Sequence, residues 1–109
     1  YKNKKTEVSG VIFDSRKEAK RYQELKWLEK IGDIEDLELQ PKFIFKLPDG
    51  TPIKNHIKGS KTLTYIADFK YKNSENKIIV EDVKGFITPV YRIKETLMWV
   101  LYGIKIERV

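Results

Sequence analysis

A chain of 109 residues, 40% hydrophobic and 35% charged, has material for a single domain, 1–109, built around one core. It contains no cysteine, which excludes a disulfide framework and a thiolate metal site and points to a reducing, cytoplasmic setting. No apolar run is long enough to span a bilayer and no signal peptide is visible, so no membrane partner is expected. The formal net charge of +6 favours a polyanionic partner, nucleic acid first.

In chain order, the basic stretch from Tyr1 to Val8 reads as a flexible arm or a first strand, and Ser9-Gly10 suits a short hairpin within "VSGVIF". The chain opens on Tyr1 rather than Met, which leaves room for a few residues ahead of it. "DSRKEAKRYQELKWLEKIG" is a helix, with Ser15 as N-cap, Glu18 completing a capping box and Gly32 as its stop. "LELQPKFIFKL" alternates as one strand, with Leu37, Leu39, Phe43, Phe45 and Leu47 on one parity and Pro41 at an edge or bulge. Residues from about Pro52 to Lys61 form a basic loop. "TLTYIADFKY" and "KIIVEDVKG" are two more strands, joined by a turn at "NSEN". "TPVYRIKETLMWVLYG" is a second helix, capped by Thr88, started by Pro89, ended by Gly103, and striped by Val90, Ile93, Leu97 and Val100. "IKIERV" closes as a strand. The order is α-β-β-β-α-β, an α/β (α+β) mixed sheet flanked by helices, with three strands in a meander and the last returning parallel to a neighbour.

Acids inside strands need a reason, because strand interiors are poor places for charge. Asp82 and Lys84 share a face, following Ile78 and Val80, so that face is apolar first and polar at the strand's end. The hairpin brings Asp68 opposite Glu81 or Asp82, depending on one residue of turn length. Chemistry prefers Asp82, which shares its face with Lys84, and leaves Glu81 a structural role. Two facing carboxylates repel unless a cation joins them. Mg²⁺ takes one or two carboxylates and keeps several waters, and Mn²⁺ is expected to substitute. A lysine beside such a metal suits metal-assisted phosphodiester hydrolysis. A solvated acid–lysine pair on a strand is the plain alternative. Glu18 shares its helix stripe with Tyr22 and Leu25, so it can cap the helix and also face the acids.

A helix-borne Glu, then Asp on one strand and (D/E)-x-K on the next, resembles the PD-(D/E)xK nuclease superfamily, whose restriction-endonuclease-like core has the same element order. The stretches "FDSRKEAKRY", "LELQPKF", "YIADF" and "VEDVKGF" are similar to a family of small phage-encoded proteins of unknown function assigned to that superfamily. Holliday-junction resolvases, restriction enzymes and transposon end-cleaving nucleases are related small members. The resemblance implies that Asp68, Asp82, Lys84 and Glu18 are catalytic. It implies metal binding by Asp68, Asp82, Glu18 and the backbone carbonyl of Val83, and phosphate contact by Lys94. Ile66-Ala67 stands where the motif has its proline, and Asp82 where Glu is usual.

The expected activity is a Mg²⁺-dependent endodeoxyribonuclease acting on branched DNA as a homodimer, in the cytoplasm of a phage-infected cell. A catalytically silent DNA-binding module of the same fold is the alternative. Gln40 lies beside the strand bulge as a candidate near the site, and Lys58 and Lys61 are candidates for tracking a DNA backbone. His56 reads as a solvated loop residue. Trp99 and Tyr102 are candidates for a dimer contact, and core packing explains them equally well.

Overall fold

The computed structural model describes residues 5–54, 59 and 61–109. His56, Lys58 and residues 1–4 of the amino-terminal arm lie outside the described residues. The fold is a mixed α+β structure of two helices and a mixed sheet, in the order β1 (Thr6–Val8), β2 (Val11–Phe13), α1 (Arg16–Lys30), β3 (Glu35–Leu39), β4 (Lys42–Ile44), β5 (Thr64–Ile66), β6 (Phe69–Lys72), β7 (Ile78–Asp82), α2 (Pro89–Tyr102), β8 (Glu107–Arg108). The main sheet runs β3-β6-β7-β8, antiparallel except for the parallel β7–β8 pair. Its elements with the two helices reproduce the expected α-β-β-β-α-β order. The β1–β2 hairpin precedes that core, and a separate β4–β5 pair is inserted in it.

Local chemistry sets the helix ends. The Ser15 hydroxyl accepts the Glu18 N–H at 3.1 Å, and the Thr88 hydroxyl accepts the Tyr91 N–H at 3.0 Å. The capping box at α1 closes only by half: the Glu18 carboxylate takes the N–H of Asp14, at 3.4 Å, rather than that of Ser15. Past α1, the Asp33 and Gly32 amides bond back to the Leu28 and Glu29 carbonyls, a Schellman closure around Gly32 at φ 87°. Gly103, at φ 67°, ends α2 in the left-handed region.

Two strands expected to be continuous are each broken. "LELQPKFIFKL" divides at Gln40-Pro41 into β3, in the main sheet, and β4, in the inserted pair. "TLTYIADFKY" divides at Ala67-Asp68 into β5 and β6. The breaks face each other: the Gln40 amide donates to the Asp68 carbonyl, and the Ala67 amide to the Pro41 carbonyl. Pro41 has no N–H for a ladder, and Gln40 sits at φ 50°, so the chain turns there from one sheet to the next. The single parity then fails: Leu37 and Leu39 pack with α1, whereas Phe43 and Phe45 pack with α2. Tyr65 and Ala67 likewise join the α2 side, while Phe69 and Tyr71 join the α1 side.

The core is therefore in two parts. One, centred on Tyr22, Leu25 and Phe69, lies between the sheet and α1; the other, centred on Phe45, Val80 and Met98, lies between the sheet and α2. A second expectation is corrected here. Of the stripe of Val90, Ile93, Leu97 and Val100, only Leu97 reaches the core. Val90, Ile93 and Val100 are exposed, and α2 is seated through Tyr91 and Met98, with Leu97 and Leu101 at the margin. The aromatic Tyr91 and the flexible Met98 fill the space over Val80, and that choice rotates the aliphatic stripe outward.

Candidate active site

The β6–β7 hairpin settles the register left open by the sequence. Lys72 pairs with Ile78 and Phe69 with Glu81 across a five-residue turn, so one further step sets Asp68 beside Asp82. The Asn73 side chain holds that turn by accepting the Glu75 and Lys77 amides, each at 3.0 Å. Asp68 stands just outside β6, at the break, where its carboxylate accepts the Val83 amide at 2.7 Å. Asp82 ends β7 and is 2% exposed. It accepts a short hydrogen bond from the Tyr65 hydroxyl, and Lys84 Nζ lies 3.4 Å from it. The ammonium of Lys84 also rests over the Tyr91 ring, 4.4 Å from its centre.

Burial pushes Asp68 up to about 6, helped by the neighbouring Glu18 carboxyl and opposed by hydrogen bonding to Asp82 and then by the Val83 amide. Burial, then hydrogen bonding to Asp68, pushes Asp82 up to about 7, against the pull of Tyr65 and Lys84. The Tyr65 hydroxyl is itself driven up, first by burial and then by Asp82, so it stays a donor. Two carboxylates thus meet at the end of the sheet, with one lysine between them and solvent.

Glu81, next in the chain, is built differently. Its carboxylate takes both arms of the Arg21 guanidinium, at 2.7 and 2.6 Å, and a short hydrogen bond from the Tyr71 hydroxyl. It faces α1, as its parity implied, and its needs are met within the fold.

Two clefts lie near the acids, one reached by Asp68 and the other by Tyr65 and Lys84, the partners of Asp82. One of 160 Å³ is lined by Phe13, Glu18, Gln40 and Asp68, among others. The other, of 300 Å³, is lined by Tyr65, Lys84, Thr88, Tyr91 and Lys94, among others. The site residues inferred from sequence therefore largely converge. Asp68, Asp82 and Lys84 meet directly; Glu18 and Gln40 border one cleft, and Lys94 the other. Val83 contributes its amide to Asp68. Lys61 is exposed and borders neither cleft, and Lys58 lies outside the described residues. A groove of 560 Å³ between α2 and β8, lined by Glu95, Trp99 and Arg108 among others, contains none of the acids. Tyr102 is occupied elsewhere: its hydroxyl donates to the Ile44 carbonyl at 2.6 Å and pins β4 to α2.

Sequence reasoning missed Tyr65, Arg21 and Tyr91. Alternation along an unbroken strand would set Tyr65 on the face of Phe69 and away from Asp68, whereas the break at Ala67-Asp68 turns it to the α2 side. A signal for Arg21 was present in the buried parity of Glu81, which demanded a cation from the helix on that side.

Among the described residues, no group of three or more His, Cys, Asp or Glu side chains is disposed to hold a metal ion. Glu18 stands beside Asp68 and caps its own helix. The Asp68–Asp82 pair by itself meets what Mg²⁺ asks of a protein, one or two hard carboxylates with room for water. Both acids are held near the point of losing their protons, where a cation is the natural replacement.

The family model described as "Protein of unknown function (DUF1064)" matches residues 1–106, nearly the entire chain, and the chain belongs to that family. No curated protein and no solved structure matches it. Among the described residues, no helix is long and apolar enough to cross a membrane.

Proposed function

We propose that this protein is a Mg²⁺-dependent endodeoxyribonuclease of the PD-(D/E)xK kind, acting in the cytoplasm of a phage-infected cell. One observation carries the reading: two acids at the ends of adjacent strands, Asp82 buried and Asp68 partly so, meet at the end of a sheet, with Lys84 3.4 Å from Asp82, one cleft reached by Asp68 and another by Lys84. Asp68 and Asp82 would hold the metal, with Mn²⁺ able to replace it. The metal, when bound, supplies charge neutralisation at the phosphate and a more acidic water.

The chain's own residues do the rest. Lys84, steadied by Tyr91 and Asp82, orients the water or the scissile phosphate. Tyr65 fixes the Asp82 carboxylate, and the Val83 amide fixes that of Asp68. Lys94 and Thr88 border the second cleft and suit a neighbouring phosphate. The exposed residues Arg16, Lys17 and Lys20 at the start of α1 extend the cationic surface.

The described residues contain no helix-turn-helix or zinc finger, so recognition rests on backbone charge and shape, which favours branched DNA over a base sequence. The deciding experiment is cleavage of linear, nicked, flap and four-way DNA in Mg²⁺, Mn²⁺ and EDTA. Metal-dependent cutting, strongest on branched substrates, is expected. DNA binding without cleavage of any substrate would instead favour the catalytically silent module.

A further inference from the structure

The aliphatic stripe left outside by α2 has a regular design. Val90, Ile93, Leu97 and Val100 follow a 3-4-3 spacing, the a/d pattern of a helix that seats on another helix. Val90 and Ile93 are each 61% exposed and Val100 69%, while Leu97 is half-buried. Ile66, which borders the same cleft as Val90, and Phe86, just ahead of α2, add exposed apolar surface at one end. A solvated helix face has no need of two successive a/d pairs, and apolar surface this continuous marks a contact.

We infer that this face pairs with the same face of a second copy of the chain, the two α2 helices running antiparallel across a two-fold axis between Ile93 and Leu97. The 3-4-3 spacing reads the same in both directions. Reversal therefore sets Val90 against Val100 of the second copy and Ile93 against Leu97 of the second copy, with every position matched to an aliphatic one. A parallel pair would bring the two positive helix N-termini together. The antiparallel pair separates them and sets each N-terminus beside a C-terminus.

The stripe itself carries no charge, which disfavours a nucleic acid as its occupant. Together with Ile66 and Phe86 it exposes on the order of 600 Å², so two copies would bury on the order of 1,200 Å², the lower bound of a specific interface. Since α2 has 14 residues, the two Thr88 ends, each on the cleft that holds its own Lys84, would stand roughly 21 Å apart on one assembly. The pairing does not depend on the nuclease reading.

The test is sedimentation of the metal-free and DNA-free protein at tens of micromolar, with Ile93→Glu and Val100→Lys as variants. The parent is expected to sediment as a dimer. Each variant is expected to weaken dimerisation at least tenfold with an unchanged circular-dichroism spectrum, because the replaced side chains are exposed in the monomer. A parent that stays monomeric, or a variant that stays dimeric, overturns the inference. Loss of DNA binding by Ile93→Glu in a monomeric parent also overturns it and reassigns the face to DNA. The cysteine-free chain supplies a direct check on orientation. A mixture of Val90→Cys and Val100→Cys proteins should form a disulfide-linked dimer on oxidation, and neither alone should do so. Efficient linking of Val90→Cys to itself overturns the antiparallel arrangement.

Discussion

Glu81 and Asp82 are neighbours on β7, both almost wholly buried, and the fold treats them in opposite ways. Glu81 points toward α1 and meets a full complement: two guanidinium hydrogens from Arg21 and the Tyr71 hydroxyl. Asp82 points toward α2 and meets a tyrosine hydroxyl, a lysine at 3.4 Å and a second carboxyl, that of Asp68. The first acid is neutralised inside the molecule. The second is buried beside a group of its own charge. A buried charge without a full partner is costly, so its presence is informative where a finished ion pair is not. The comparison separates a fastening of α1 to the sheet from a site prepared for something outside the chain.

Breaking each half of the comparison should give opposite results. Arg21→Ala leaves Glu81 buried without its cation, and removal of one partner of a buried pair costs about 3–5 kcal/mol. Denaturant unfolding should show that loss. Asp82→Asn should leave the protein at least as stable as the parent at pH 8, since it removes a charge that faces Asp68, yet lower cleavage by about a thousandfold, or about 4 kcal/mol. Equal destabilisation by both variants would erase the distinction between the two acids.

Stability against pH sharpens the same contrast. Asp68 and Asp82 are raised from 3.8 to about 6 and about 7 in the folded protein. Between about pH 4 and pH 7 the folded state keeps protons that the unfolded state has released, so stability falls as pH rises through that window and levels above it. A melting series in EDTA should show this fall. Millimolar Mg²⁺ at pH 8 should recover several degrees, and Asp82→Asn should flatten the fall and remove the recovery. A metal-dependent shift that persists in Asp82→Asn would place the metal elsewhere.

Lys84→Ala tests whether the lysine between the acids and solvent acts in the reaction. It should lower single-turnover cleavage by about a hundredfold, the scale of a positioned acid–base group. DNA affinity should change by less than about threefold. Equal losses of rate and affinity would reduce Lys84 to a phosphate contact. The smallest expected effect lies farther out. Lys94→Ala should weaken DNA binding severalfold and lower the slope of log K against log salt by about one unit. Lys61→Ala tests the exposed loop lysine in the same way, and an unchanged slope would remove it from the DNA contacts.

Much of this architecture is legible in the residues. Ser15, Thr88, Pro89 and Gly103 mark helix ends because capping is decided within a few residues of chain, by a hydroxyl, a missing N–H or a missing Cβ. The apolar-then-polar face of β7 names Asp82 and Lys84 for the same reason: alternation along a strand is local geometry. Which neighbour each face meets is not local. Alternation places Phe43, Phe45 and Tyr65 on the wrong side because the paired breaks at Gln40-Pro41 and Ala67-Asp68 exist only when the two segments lie against each other. The pairing of Asp68 with Asp82 waited on a five-residue turn held by the Asn73 side chain. The α2 stripe shows the limit most clearly. Its period identifies an apolar face, but only competition for the space over Val80, taken by Tyr91 and Met98, decides that this face turns to solvent. Sequence alone determined the two helices, the order of the main elements and the acids they carry; tertiary packing decided where strands break and what each acid faces, because burial and partnership are properties of residues far apart in the chain.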